Sequence, residues 1–166
     1  MMNRKLRAMC APLALALAIS STTPTAAAAS GLGNLSVGST VISACLVVGS
    51  VIAFGTYAAA QVDQTGSITV ICTFGTSYNV GLDAGSGVGA TTAVRKLTGL
   101  GGGQLNYALY RNSGRTNLWG SAIGTDTLAA TATGLLQSLT VYGRIAGGQT
   151  PPADIYTDTV TVTLTY

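Results

Sequence analysis

The chain has 166 residues, a formal charge of +3, 48% hydrophobic residues, 22 Gly, no His and only 8% charged residues. Soluble domains average about 25% charged residues and about 7% Gly, so this chain is poor in charge and rich in turn residues. Without His there is no Ser-His-Asp or Cys-His machinery, and without His or Glu a zinc enzyme has almost nothing to build on.

Residues 1–29 begin with Arg4, Lys5 and Arg7, continue as an apolar run from about Ala8 to Ile19, and end in small residues with Ala-x-Ala at Ala27 to Ala29. This is the pattern of a secretory signal peptide, and the apolar run is shorter than the roughly 20 residues needed to span a bilayer. Beyond it, Arg95, Lys96, Arg111, Arg115 and Arg144 balance Asp63, Asp83, Asp126, Asp154 and Asp158. That remainder carries no basic field to attract nucleic acid or an anionic membrane. It also has no later apolar run of membrane-helix length. Two cysteines remain, Cys45 and Cys72, and an even count in an exported chain reads as a disulfide.

The rest reads as short strands. Residues 36–47 supply at least one, and Val51 to Tyr57 a weaker one. Gly66 to Phe74 alternates, with Ile68, Val70, Cys72 and Phe74 on one face. Tyr78 to Asp83 is followed by the turn-rich Ala84 to Gly89, and Leu105 to Tyr110 by Arg111 to Gly114. Leu135 to Arg144 is anchored by Leu139 and Val141. After a loop marked by Pro151 and Pro152, Val160, Val162, Leu164 and Tyr166 alternate with Thr in the clearest strand of all. Thr127 to Thr133 contains Leu128, Ala129 and Ala130, but its Thr residues and flanking glycines argue against a helix. About seven short strands with Gly-rich turns predict an all-β sandwich.

Chemical motifs fail one by one. Gly85 to Gly89 and Gly99 to Gly103 lack the helix and Lys-Ser/Thr of a phosphate loop, so they read as turns. Asp154 and Asp158 have no third carboxylate nearby to make a calcium loop. Asn34-Leu-Ser36 fits a glycosylation acceptor, but so short a pattern arises by chance. Tyr107, Tyr110 and Trp119 could stack on a sugar, but cross-strand core pairing is the plainer reading. Lys96 is the one candidate base for a Ser or Thr, and it sits beside Arg95 in what reads as a polar loop. No cofactor or metal is expected, and the residues point to a structural protein, not an enzyme.

Several blocks, in order, resemble the spore coat protein U domain family, which includes pilins of the archaic chaperone–usher pathway. They are Val41 to Cys45, Phe54 to Tyr57, Gly66 to Thr73, Tyr78 to Gly85, Leu105 to Arg111, Thr116 to Gly120, Thr140 to Arg144 and Tyr156 to Tyr166. The resemblance implies an incomplete immunoglobulin-like β-sandwich completed by donor-strand exchange. In such pilins a periplasmic chaperone lends the missing strand, and the N-terminal segment of the next subunit replaces it at the outer-membrane usher. The implied product is a surface pilus serving adhesion and biofilm formation; other members are coat or secreted proteins.

On this reading residues 1–29 are the signal peptide, 30–44 a donor-strand extension and 45–166 the sandwich domain. The odd positions of the extension, Gly33, Leu35, Val37, Ser39 and Val41, form its more apolar face. Leu35, Val37 and Val41 are the expected donor residues, with Ser39 a polar departure. An ordinary first strand of the same domain is the plain alternative for this segment. The alternatives for function are a non-polymerising coat or carbohydrate-binding adhesin protein, and a small outer-membrane barrel. A barrel needs about eight strands of 9–11 residues, which seven short strands do not supply.

Overall fold

Alternation of apolar and polar residues organises the chain into antiparallel strands, as the computed structural model of residues 32–166 shows. Among the described residues there is no helix. The expected signal peptide, residues 1–29, lies outside them. Residues 1–38 and 39–166 form separate units. Within the first, residues 32–38 belong to no strand.

The second unit holds nine strands: β1 (Cys45–Gly49), β2 (Val62–Cys72), β3 (Ser77–Leu82), β4 (Arg95–Gly99), β5 (Gln104–Tyr110), β6 (Leu128–Thr131), β7 (Gln137–Ile145), β8 (Tyr156–Thr157) and β9 (Val162–Thr165). One sheet runs β1-β2-β7-β5-β4-β8 and the other β6-β3-β9. Their facing side chains form the core, with Ile68, Val70, Tyr78, Val80, Leu109 and Trp119 buried. The Trp119 indole donates to the Val80 carbonyl at 2.9 Å, so the one tryptophan is pinned at the centre of the core.

Cys45 and Cys72 are directly opposite in the β1–β2 ladder and are joined by a disulfide. Tyr107 and Trp119 are buried, which removes them as a sugar-stacking surface.

Four features differ from the sequence expectations. Phe74 leaves the face it was assigned to and is exposed, because β2 ends at Cys72 and the chain turns. Arg95 and Lys96 lie in a strand, β4, whose mixed polar sequence conceals it. Leu128 to Thr131 forms the short strand β6. The final strand is divided: β8 pairs with β4 in one sheet and β9 with β3 in the other, so the chain changes sheets between them. Its inward and outward alternation nevertheless continues unbroken from Tyr156 to Thr165.

The disulfide closes a loop with a sequence separation of 27. In the chain-entropy account that constrains the unfolded chain by about 3–4 kcal/mol. Cys45→Ala with Cys72→Ala should lower stability to urea by about that amount, read from Trp119 fluorescence; an unchanged midpoint would contradict it.

Candidate functional site

The segment Val51 to Tyr57, expected as a weak strand, is the first clue to a site. Its side chains are held in place. A Cβ on Gly66 would lie 2.5 Å from Ile52 Cγ1, and one on Gly143 2.8 Å from Phe54 Cζ. These two strand glycines are therefore seats for Ile52 and Phe54, which a larger residue would displace. The Phe54 ring also meets Tyr107 edge-on, with centroids 5.8 Å apart. The Tyr57 hydroxyl donates to the Ala146 carbonyl at 3.0 Å and accepts the Gln149 N–H at 2.9 Å.

Its backbone is another matter. Among the described residues, no backbone–backbone hydrogen bond involves Val51 to Tyr57. Across from it runs the C-terminal stretch. There β9 pairs with β3 along one edge, and its other edge has no ladder partner among the described residues.

Between these two edges lies a groove of about 290 Å³, floored by Ile68, Leu82, Leu109 and Val141 and flanked by Ile52 and Val160. It adjoins a cavity of about 880 Å³ lined by Tyr57, Leu105, Ile145, Pro151 and Tyr156. Asp158 borders both. The groove narrows at the end of β1, where a Cβ on Gly49 would lie 3.5 Å from Val162 Cγ2. Two backbone edges outside any ladder face each other over an apolar floor, the first turning at Gly55 where φ is +73°, and this shape suits one more strand.

A polar frame keeps the slot in shape. Arg95 is fully buried, and among the described residues it forms no ion pair with a carboxylate. Its guanidinium donates to the carbonyls of Asp83 (2.8 Å), Thr92 (2.9 Å), Leu82 (3.1 Å) and Trp119 (2.8 Å). Burial pulls its pKa below the ordinary arginine value. The planar fork of donors suits arginine and not lysine.

The Asp83 carboxylate accepts the N–H groups of Gly85 and Thr161, each at 2.9 Å, which fixes the stretch between β8 and β9. Burial tends to raise the Asp83 pKa, but hydrogen bonds from Thr161 and Gly85 and the Arg95 charge outweigh it and hold the group below the usual value. Asp158 Oδ1 accepts from the Ser86 N–H and hydroxyl, each at 2.7 Å, and from the Thr159 N–H. Its Oδ2 accepts from the Tyr107 hydroxyl at 2.7 Å. Burial, reinforced by that bond, pushes the Tyr107 hydroxyl well above its ordinary pKa, so it stays a neutral donor.

Asp154, which lines the adjoining cavity, is engaged as well: its Oδ2 accepts the Gly101 N–H at 2.7 Å. The arrangement presents backbone edges and apolar pockets, and suits binding of an extended peptide.

The sequence-predicted donor residues Leu35, Val37 and Val41 lie outside the strands, 88%, 86% and 80% exposed. Sequence reasoning missed the slot itself. The available signal is parity: Ile52 and Phe54 alternate on one face of a short apolar segment. Arg95 and Asp158 gave no such signal.

The Spore Coat Protein U domain matches residues 32–163. The chain belongs to this family. No curated protein matches it. A chain of the crystal structure of the CsuC-CsuE chaperone-tip adhesion subunit pre-assembly complex, from archaic chaperone-usher Csu pili of Acinetobacter baumannii, superimposes with a TM-score of 0.57 and 26% identity. The match covers 76% of this chain and 40% of that one, so this Spore Coat Protein U domain spans less than half of that chain's length.

The lowered Asp83 pKa has a pH consequence. A carboxylate whose folded pKa is depressed contributes fully above its unfolded value of about 3.9 and loses that contribution as pH falls through the folded value. Stability should therefore decline below about pH 4, and Asp83→Asn should flatten part of that decline, read by Trp119 fluorescence in urea across pH. Identical slopes in the two proteins would contradict the role given to Asp83.

Proposed function

We propose that this domain is the structural subunit of a surface pilus assembled by the chaperone–usher pathway. A periplasmic chaperone fills the slot first, and residues 30–44 of the next copy replace that strand at the outer-membrane usher. Export through a cleaved signal peptide at residues 1–29 and a role in adhesion and biofilm formation belong to the same reading. The observation that carries it is the pair of unpaired backbone edges facing each other across an apolar groove, at Val51 to Tyr57 and along β9.

Exposed edges of this kind invite aggregation, which gives a chaperone strand its purpose. The family membership and the chaperone–subunit complex among its structural relatives support the same pathway. The carbohydrate-binding alternative loses two of its three aromatics, Tyr107 and Trp119, to the core, and the third, Tyr110, is half-buried. A non-polymerising coat protein remains the competing reading, and assembly decides between them.

Burying one aliphatic side chain contributes roughly 1.5–3 kcal/mol, so Leu35 and Val37 together supply about 3–6 kcal/mol. Leu35→Arg with Val37→Arg places two charges against an apolar floor without partners. The double variant should abolish fibres seen by electron microscopy and leave chaperone co-purification intact, since the chaperone occupies the receiving groove. Normal fibres would overturn the donor assignment. Loss of chaperone binding as well would place residues 35–37 within the subunit's own fold.

A further inference from the structure

Two face patterns can be set against each other. From Tyr156 onward the inward-facing residues are Tyr156, Asp158, Val160, Val162 and Leu164, a run with one charged member. The odd face of the extension is Gly33, Leu35, Val37, Ser39 and Val41, with one hydroxyl. We propose that the extension enters the groove antiparallel to the C-terminal run in a single register, with Ser39 of the incoming copy hydrogen-bonded to Asp158 of the receiving copy. This rests on the donor-strand reading and adds to it the residue pair that sets alignment.

In that register Val41 meets Tyr156, Val37 meets Val160 and Leu35 meets Val162. The neighbouring registers are worse on the same physical grounds, and a slip of four, which brings Ser43 to Asp158, sets the Ser39 hydroxyl against Val162. A slip of two residues sets Val41 or Val37 on the carboxylate and buries the Ser39 hydroxyl against Val160 or Tyr156. A slip of one residue turns Asn34, Ser36, Gly38 and Thr40 toward the apolar floor. A parallel strand that kept Ser39 on Asp158 would set Leu35 on Asp154 and face Val162 with Ser43.

Asp158 is suited to the task. Its Oδ1 is fully used by Ser86 and Thr159, while Oδ2 accepts from the Tyr107 hydroxyl. A carboxylate oxygen has two lone pairs, so Oδ2, which lies against Gly85 and accepts from Tyr107, keeps capacity for one more donor, and Asp158 lines the groove. A serine hydroxyl there makes a charge-assisted bond, stronger than a neutral one. Tyr107 and Ser86 hold the carboxylate in place beforehand. The seven residues from Leu35 to Val41 also equal in length the seven unpaired residues from Val51 to Tyr57. Seating Leu35 opposite Val162 parts Gly49 from Val162 at the narrow end of the groove.

The test uses fibres of the full chain and their dissociation half-time on warming in detergent. Ser39→Val adds apolar surface to a donor face, so hydrophobic matching alone would leave it as stable as the parent or more so. The register proposal requires the opposite: dissociation at least about tenfold faster for Ser39→Val, and within about twofold of the parent for Ser39→Thr, which keeps the hydroxyl. Ser39 lies in the extension, outside the strands, so the substitution leaves the fold alone. Val fibres that equal or outlast the parent overturn the register and leave the donor reading intact. Fibres indifferent to Leu35→Arg with Val37→Arg overturn the donor reading itself. A cryo-electron microscopy map of the parent fibre checks the pair directly: Ser39 Oγ within hydrogen-bond distance of Asp158 Oδ2 supports it, and Val37 or Val41 at that place refutes it.

Discussion

Unmet backbone hydrogen bonding along the groove governs the rest of this structure. A backbone N–H or C=O beside apolar surface has to find a partner or keep its water, and each group left buried and unpaired costs about 1–3 kcal/mol. Val51 to Tyr57 is held by its side chains, yet it has no backbone partner among the described residues. Packing at Gly66 and Gly143 thus fixes a strand-like segment in position without satisfying it. The groove walls are ordered within the subunit, which lowers the conformational cost of binding an extended peptide, while the narrow end at Gly49 and Val162 has to open for it.

The walls hold their place through polar contacts set away from the slot. The Arg95 fork ties the segment after β3, the start of β4 and the Trp119 carbonyl together. Asp83 and Asp158 tie the stretch between β8 and β9 to the turn after β3. These contacts fix the C-terminal run in place on the opposite side of the groove from Val51 to Tyr57. The Cys45–Cys72 disulfide secures β1 to β2 at the point where the extension leaves the domain.

Much of this was legible in the sequence. Period-2 alternation located β2, β3, β5, β7 and the C-terminal run, because each buries one face. The cysteine count gave the disulfide. β4 was hidden because Arg95 and Lys96 look like loop residues, and only the surrounding carbonyls explain a buried arginine there. β6 was hidden by the helix-tolerant Leu128, Ala129 and Ala130. Val51 to Tyr57 reads as a strand but forms none, with Gly55 at φ +73° in its middle; whether a ladder partner exists is a non-local fact that no local pattern carries. Asp158 was singled out only as a failed calcium ligand. Its bond to Tyr107 joins residues 51 apart in the chain, beyond the reach of any spacing argument.

Amide hydrogen exchange is the most direct test of the open-slot account. It compares assembled fibres with the non-assembling Leu35→Arg, Val37→Arg subunit. The account predicts rapid exchange of the Val51 to Tyr57 amides in the isolated subunit and strong protection of the same amides in the fibre, with β2 and β7 protected in both. Protection of Val51 to Tyr57 already present in the isolated subunit would contradict it, since the edge would then be paired within one chain.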